Sequence, residues 1–307
     1  WAPLIPTDIG RRNFDSFVHA GFDVVTAMPN GLLNRKLARL GLEFYGDPFL
    51  PFIYGQLWWP IHLAFQSGIK MVFFGENGDA EYGGDPSASD KPSWRIEDWE
   101  RVYMKGAEVS RLVGLGHELG VFSDEECQSL SPFYRRPNDS QISEFLSHPR
   151  RKKRSPEFHW LGYYLPWHPM GNFYTACENT GFEPNEERSE QTYTKFASLD
   201  DKLDGAHYRL GYLKFGIGRC TSDAAQQIRH DELTRDEAVA LVRKYDHEEP
   251  TKYFDEVLEY LGMDKAHWGE VGDRFRPAHL WEQSTPKAPA MPGEPQWRLK
   301  HAVYERY

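Results

Sequence analysis

The sequence predicts an α/β fold: an open parallel sheet with crossover helices, followed by a mostly helical C-terminal part. Three observations carry that expectation. Short apolar runs alternate with helical patterns near the start of the chain. Ile69 to Phe74 is a compact apolar run bounded by glycines, and helix-capping signals recur beyond Thr221.

The elements follow in order. Asp23 to Met28 is β-branched in part, ends at the turn signal Pro29-Asn30-Gly31, and reads as a strand. Leu32 to Tyr45 reads as a helix, because Leu33, Leu37, Leu40 and Phe44 recur at three- and four-residue steps; Gly46-Asp47-Pro48 stops it. A second apolar stretch, Leu57 to Gln66, leads through Ser67-Gly68 into Ile69-Lys-Met-Val-Phe-Phe74, which has the character of a buried parallel strand. Strand, helix, helix, strand is the order that crossover connections produce. Trp94 to Leu119 is helical, and Ser123-Asp-Glu-Glu126 has the spacing of a capping box. The basic run Arg150 to Arg154 is either a solvated connection or a patch that binds phosphate or nucleic acid. Glu157 to Leu165 alternates as a further strand would. Helices are expected over Ser222 to His230, from the Thr234 capping box to Tyr245, over Lys252 to Leu261, and over Lys265 to Phe275. Ser284 to Pro295 carries four prolines and reads as a strap or linker. The expected division is an α/β core over residues 1–147, a second region over 148–283 and a proline-rich tail over 284–307.

Charge and composition narrow the function classes. Thirty-six Lys and Arg against 46 Asp and Glu give a net charge of −10 over 307 residues. That balance argues against a duplex nucleic-acid binder, whose affinity rests on basic contacts to phosphate. No apolar run approaches the ~20 residues of a membrane helix. Three scattered cysteines, Cys127, Cys177 and Cys220, build neither a disulfide framework nor a Cys-only zinc site, and fit a reducing, cytoplasmic setting. Aromatic residues reach 15%, enough for a substantial core and for stacking surfaces that sugars use.

Three segments could carry chemistry. Gly75-Glu-Asn-Gly-Asp-Ala-Glu-Tyr-Gly-Gly84 directly follows the predicted strand, where ligands sit in open α/β sheets. Its carboxylates Glu76, Asp79 and Glu81 suit a Mg²⁺ ion bridging phosphate oxygens, and its glycines admit close backbone approach; the alternative is an acidic surface turn. Thr192 to Gly205 mixes Lys195, Asp200, Asp201, Lys202 and Asp204 with hydroxyl residues, and would bind a polyol or a metal–phosphate complex, or else form a salt-bridged helix face. Lys214-Phe-Gly-Ile-Gly-Arg219, followed by Thr221 and Ser222 as candidate caps, is a candidate anion site at a helix start.

Taken in sequence, Pro51-Phe-Ile-Tyr-Gly-Gln56, Gly75 to Gly84, Ser198-Leu-Asp-Asp-Lys-Leu-Asp-Gly205 and Lys214 to Arg219 resemble the N-acetyl sugar amidotransferase family. The resemblance runs from Trp1 to about Met263. It implies a sheet of the adenine nucleotide alpha hydrolase, or PP-loop, type and kinship with the N-type ATP pyrophosphatases, among them asparagine synthetase. The implied reaction converts the N-acetyl group of a bacterial surface sugar to an acetamidino group through an adenylated imidate. ATP and Mg²⁺ are the implied cofactors, the N-acetylated sugar the substrate, and a separate glutaminase subunit the source of ammonia. The resemblance assigns Gly75, Glu76, Asn77, Gly78, Asp79, Gly83 and Gly84 to the nucleotide, with Glu76, Asp79 and Glu81 on the metal. Lys195, Lys214 and Arg219 would neutralise phosphate, while Asp200, Asp201 and Asp204 would orient sugar or metal. The family's Ser-Gly-Gly-Lys-Asp-Ser phosphate loop has no copy in the sequence, so Trp1 to Ile5 is expected to be the second strand of a sheet whose first strand is missing. The 307 residues alone are then expected to bind ATP weakly and form no amidine. Alternatives are a catalytically silent sugar- or partner-binding chain, and an adenylating enzyme acting on another amide or a tRNA base.

Overall fold

The computed structural model describes residues 1–76, 91–94, 109–134, 139–147, 156–283 and 297–305. Helices dominate. Helix α1 (Asp8–His19) starts at Thr7, whose hydroxyl accepts from Gly10 N–H at 3.0 Å. Helix α2 (Gly31–Tyr45) is capped by the Asn30 side chain and ends at Gly46 in the left-handed conformation, φ 61°. Of its predicted apolar face, Leu33, Leu37 and Leu40 are buried and Phe44 is exposed. Helix α3 (Leu50–Ser67) begins seven residues before the apolar stretch that predicted it, since Pro51 in a first turn starts a helix rather than breaking one.

Strand β1 (Met71–Phe74) appears where expected and pairs parallel with β3 (Glu157–Trp160), Met71 opposite Glu157 and Phe74 opposite Trp160. The short β2 (Ser93–Trp94) joins β3 antiparallel, so the order is β1-β3-β2. Among the described residues this is a small mixed sheet; an open parallel sheet is not seen. Val72 and Phe74 pack on the core, but Met71 and Phe73 are each 50% exposed, so β1 is covered on one side only. Asp23 to Met28 forms no strand. Its apolar side chains Val24, Val25 and Met28 stay exposed, and the segment's backbone meets the chain start through Ala2 N–H to Ala27 O at 3.0 Å. Trp1 to Ile5 is likewise not a sheet strand; Pro6 makes a single antiparallel bridge with Asp201.

Trp94 belongs to β2, and the helix expected from it is seen as α4 (Val109–Glu118). The Ser123 capping box is present: Ser123 N–H donates to Glu126 Oε2 at 2.9 Å and Glu126 N–H to Ser123 Oγ at 3.2 Å, opening α5 (Asp124–Tyr134). Helix α6 (Asp139–Ser147) follows, and the basic run at 150–154 lies outside the described residues. The strand expected to Leu165 stops at Trp160, where the single-turn α7 (Leu161–Tyr164) takes over. Then come α8 (Pro169–Thr180), α9 (Asp204–Phe215), α10 (Arg219–Arg229), α11 (Arg235–Tyr245), α12 (Phe254–Leu261) and α13 (Lys265–Arg274). β4 (Trp281–Gln283) pairs antiparallel with β5 (Trp297–Leu299), and the expected strap from Ser284 to Pro295 lies outside the described residues. No helix among the described residues is long and apolar enough to cross a membrane.

Two apolar clusters share α2. Leu33, Leu37 and Leu40 pack with Leu57, Trp58, Ile61 and Trp160 on one side. Ala38 and Leu42 pack on the other with Leu210 and Leu213 of α9, Val257 and Leu261 of α12, and Val271 of α13. Gly55 admits the Trp1 indole, which a Cβ there would meet at 2.1 Å.

The expected caps of α10, Thr221 and Ser222, lie inside the helix instead. Its N-cap is Gly218, and the buried Asp246 at the end of α11 reaches across to do the capping. Asp246 accepts from Gly218 N–H at 2.9 Å, Thr221 N–H at 2.9 Å and Thr221 Oγ1–H at 2.6 Å. Removing that carboxylate strands buried helix-start donors. Asp246→Ala is expected to cost about 1–3 kcal/mol in urea denaturation, whereas the surface cap variant Thr234→Ala costs about 1 kcal/mol.

Candidate functional site

The irregular segment from Gly181 to Leu203, which joins α8 to α9, makes one wall of a cavity of about 640 Å³. Ordered hydrogen bonds hold this segment in place. Asn185 N–H donates to Lys195 O at 2.9 Å and Ser189 N–H to Thr194 O at 2.8 Å. Arg188 grips Glu248 through two nitrogens at 2.6 and 2.9 Å, a bidentate arrangement of the strong kind. Ser198 stands in the left-handed region, φ 56°, an uncommon conformation for a non-glycine residue.

The turn before α9 is fixed by Asp201. Its buried carboxylate accepts from the backbone N–H groups of Leu4, Ile5 and Leu203, at 2.5, 3.2 and 3.0 Å. Asp201 faces inward, and its sequence neighbour Asp200 together with Asp204, in the first turn of α9, lines the cavity. One helical turn on, Tyr208 joins them. From α10, Arg219 and Asp223 enter four residues apart, and Glu76 arrives two residues beyond the end of β1. Aromatic rings close the remaining sides: Phe173 of α8 stacks on Phe196 at 4.6 Å, and Phe49 on Phe52 at 4.5 Å. Trp167 Nε1 and Thr194 Oγ1, polar atoms of cavity-lining residues, are buried with no hydrogen-bond partner among the described residues.

Arg219 is held firmly. Its guanidinium lies 2.9 Å from Asp223 Oδ1 and donates to Tyr208 Oη at 2.9 Å. Thr192 Oγ1–H donates to the other Asp223 oxygen at 2.6 Å, and Ser198 Oγ–H to Tyr208 Oη at 3.0 Å. Burial pushes the Tyr208 hydroxyl up to about 12. The carboxyls are displaced upward. Burial raises Glu76, with Arg219 opposing and Asp200 adding, although its side chain is open to the cavity. Burial also raises Asp200, and it takes Asp201 to about 7 against its backbone hydrogen bonds. Asp204 is driven well above the ordinary carboxylate range by burial, then by the charges of Asp200 and Asp201.

The structure thus brings Glu76, Asp200, Asp204 and Arg219 to one cavity and sets the other candidates apart. Lys195 turns outward and donates to Glu186 O at 2.7 Å. Lys214 lies behind the wall: its Nζ donates to Tyr45 O at 3.4 Å, and burial lowers it while Asp47 opposes. Asp47 is in turn 2.9 Å from His207 Nδ1. Gly75 ends β1 without lining the cavity, and Asn77, Gly78, Asp79, Glu81, Gly83 and Gly84 lie outside the described residues. Tyr208 and Asp223 were not singled out from sequence. Their signal was the four-residue spacing from Asp204 and from Arg219, which becomes readable once both helices are assigned.

The described residues alone do not make a phosphate or magnesium site. Neither lysine reaches the cavity, its lining is acidic, and no three His, Cys, Asp or Glu side chains among them gather to hold a metal ion.

Residues 190–292 match the family model described as LPS biosynthesis protein WbpG-like, C-terminal domain. No curated protein matches the chain. The matched segment supplies Asp200, Asp204, Tyr208, Arg219 and Asp223, while Phe49, Glu76 and Trp167 come from outside it.

The raised carboxyls carry a pH signature. The folded state binds a proton at Asp201 more tightly than the unfolded chain does. Stability from this group is therefore full below the ordinary carboxylate range of ~4 and is lost as pH rises through about 7. Thermal unfolding of the ligand-free protein should give a falling Tm from pH 5 to pH 8. Asp201→Asn should be less stable at pH 5 and show a flatter profile; an unchanged slope would assign the effect to other groups.

Proposed function

We propose that the chain is an N-acetyl sugar amidotransferase of lipopolysaccharide synthesis, converting an acetamido group to an acetamidino group. Support comes from two independent sources. The match over residues 190–292 points to lipopolysaccharide synthesis. The cavity has the volume and lining that a glycosyl substrate needs, with aromatic walls and a few convergent polar groups. The observation that carries the reading is the meeting of Asp200, Asp204 and Arg219 with Glu76 in that cavity, from segments far apart in sequence.

On this reading the rings of Phe173, Phe196 and Trp167 cover the apolar faces of the sugar. The unpartnered Trp167 Nε1 and Thr194 Oγ1 are the first candidates for its hydroxyl or acetamido oxygens. Arg219, immobilised by Asp223 and Tyr208, presents a fixed positive charge, which stabilises developing negative charge without reorganising. ATP would supply the activation of the acetamido oxygen, with Mg²⁺ assigned to Glu76, Asp79 and Glu81. No step through either is derived from the described residues. Ammonia would come from a partner glutaminase, and the setting would be the cytoplasm. A second reading, a sugar-binding chain without ATP turnover, is favoured by the positions of Lys195 and Lys214 away from the cavity.

The experiment gives the chain, extended by a segment carrying the family's phosphate loop, ATP, Mg²⁺ and ammonia with a panel of N-acetylated nucleotide sugars, and follows conversion by mass spectrometry. Arg219→Ala should lower kcat/KM by roughly 100-fold or more, the scale of losing a fixed charge at a reacting centre. Lys195→Ala and Lys214→Ala should stay within a few-fold of wild type. Sugar binding without AMP formation would select the second reading, and neither binding nor conversion would remove both.

A further inference from the structure

We propose that the acidic pole of the cavity, Asp204 with Asp200, is a subsite for a planar nitrogen cation: the amidinium end of the product. The proposal rests on the amidotransferase reading and names what that site recognises.

Asp204 is the centre of the argument. It is 8% exposed, lines the cavity, and its carboxylate accepts no hydrogen bond from any described residue. A buried carboxylate normally has its acceptor sites filled, because leaving them empty costs the desolvation of a charge. Asp201 next to it, with three backbone donors, shows how this fold satisfies a carboxylate that serves the structure alone. Asp204 is left open towards the cavity.

The charge balance points the same way. Among the described residues Glu76, Asp200, Asp204 and Asp223 border the cavity, and Arg219 is the only Lys or Arg that does. Arg219 is paired with Asp223 and bonded to Tyr208, and its single charge opposes only part of what Glu76, Asp200 and Asp204 bring to the same space. An ordinary acetamide is neutral. Exchanging its oxygen for nitrogen yields an amidinium: planar, cationic, and bearing N–H donors at the spacing that pairs with a carboxylate. The site is therefore better matched to the charge that the reaction creates than to the neutral group it starts from.

The test uses acetamidinium and acetamide, which differ in charge and hardly in size, as probes of the whole chain by ligand-observed NMR titration. Acetamidinium should bind in the millimolar range and acetamide roughly tenfold more weakly or not at all, the scale of one charge-assisted pair. Asp204→Asn should remove that preference, and Asp200→Asn should reduce it. The second variant carries the test if the first does not fold. Equal affinity for the two probes, or an unchanged preference in the folded variants, would overturn the proposal. Displacement of acetamidinium by equimolar Mg²⁺ would overturn it in favour of a metal site. Acetamidinium preference without conversion of any N-acetyl sugar would keep the cation subsite and sink the amidotransferase reading. Conversion without that preference would do the reverse.

Discussion

Three backbone N–H groups converge on the Asp201 carboxylate, and the positions of Asp200 and Asp204 in the cavity follow from that junction. Two of the donors belong to Leu4 and Ile5, near the chain start, and the third to Leu203, at the start of α9. Lys202 N–H to Ile5 O at 2.9 Å and Thr7 N–H to Asp200 O at 3.1 Å extend the contact into a short antiparallel crossing. Once that crossing is made, adjacent residues face opposite ways, as extended backbone requires. Asp201 points into the protein and Asp200 towards the cavity. Asp204 then falls in the first turn of α9, where an acidic side chain complements the helix dipole. Gly10 of α1 marks how close the approach is, since a Cβ there would meet the Asp200 backbone at 2.4 Å.

Concentrating carboxylates in this way works against stability. Asp200, Asp201, Asp204 and Glu76 all have raised proton affinities, with burial the leading cause for each. The fold offsets this with one cation in a rigid setting. Arg219, Asp223, Thr192, Tyr208 and Ser198 form a connected chain of polar contacts, and such networks hold geometry more tightly than isolated pairs do. Arg219 tempers the neighbouring charge without cancelling it. A ligand that brings positive charge would then bind where the empty protein is least comfortable.

The sequence was most readable where local chemistry and burial agree. The Thr234 capping box, the Ser123 capping box and, on the apolar face of α2, Leu33, Leu37 and Leu40 stand as their spacing predicts, though Phe44 does not. Legibility failed where function intrudes. Helix α9 buries Asp204 and Arg209 alongside Leu210 and Leu213, so its buried face is not an apolar stripe, and no helical period could show. Asp23 to Met28 has strand-forming residues but nothing to bury them, and propensity without burial forms no strand. The site motifs were legible as neighbourhoods rather than as directions. Lys214 shares α9 with Asp204, but ten residues at 1.5 Å rise put it about 15 Å along the axis, at the end where a cation suits the helix dipole. Lys195 lies on the cavity-wall segment and points away, which charge alone could not reveal.

The cavity has two unequal sides, and the inequality is itself informative. Asp204, Tyr208, Arg219 and Asp223 project from α9 and α10, helices that bury Leu210, Leu213, Cys220 and Ala224 in packed clusters. The facing side is α8, which buries no residue, and its described ties to α1 and the following loop are few. Asn13 Nδ2–H donates to Glu183 O at 2.9 Å, Glu183 N–H returns to Asn13 Oδ1 at 2.8 Å, and Ser16 bonds Thr180 O. An element with so few buried contacts belongs to the least stable part of a fold. Charged contacts depend steeply on distance and angle, so they suit the rigid side; apolar contacts with ring faces tolerate adjustment and suit the yielding one. Asp200, Asp204, Arg219 and Asp223 lie within the matched segment 190–292, on the more firmly packed side, while Glu76 reaches the cavity from outside it.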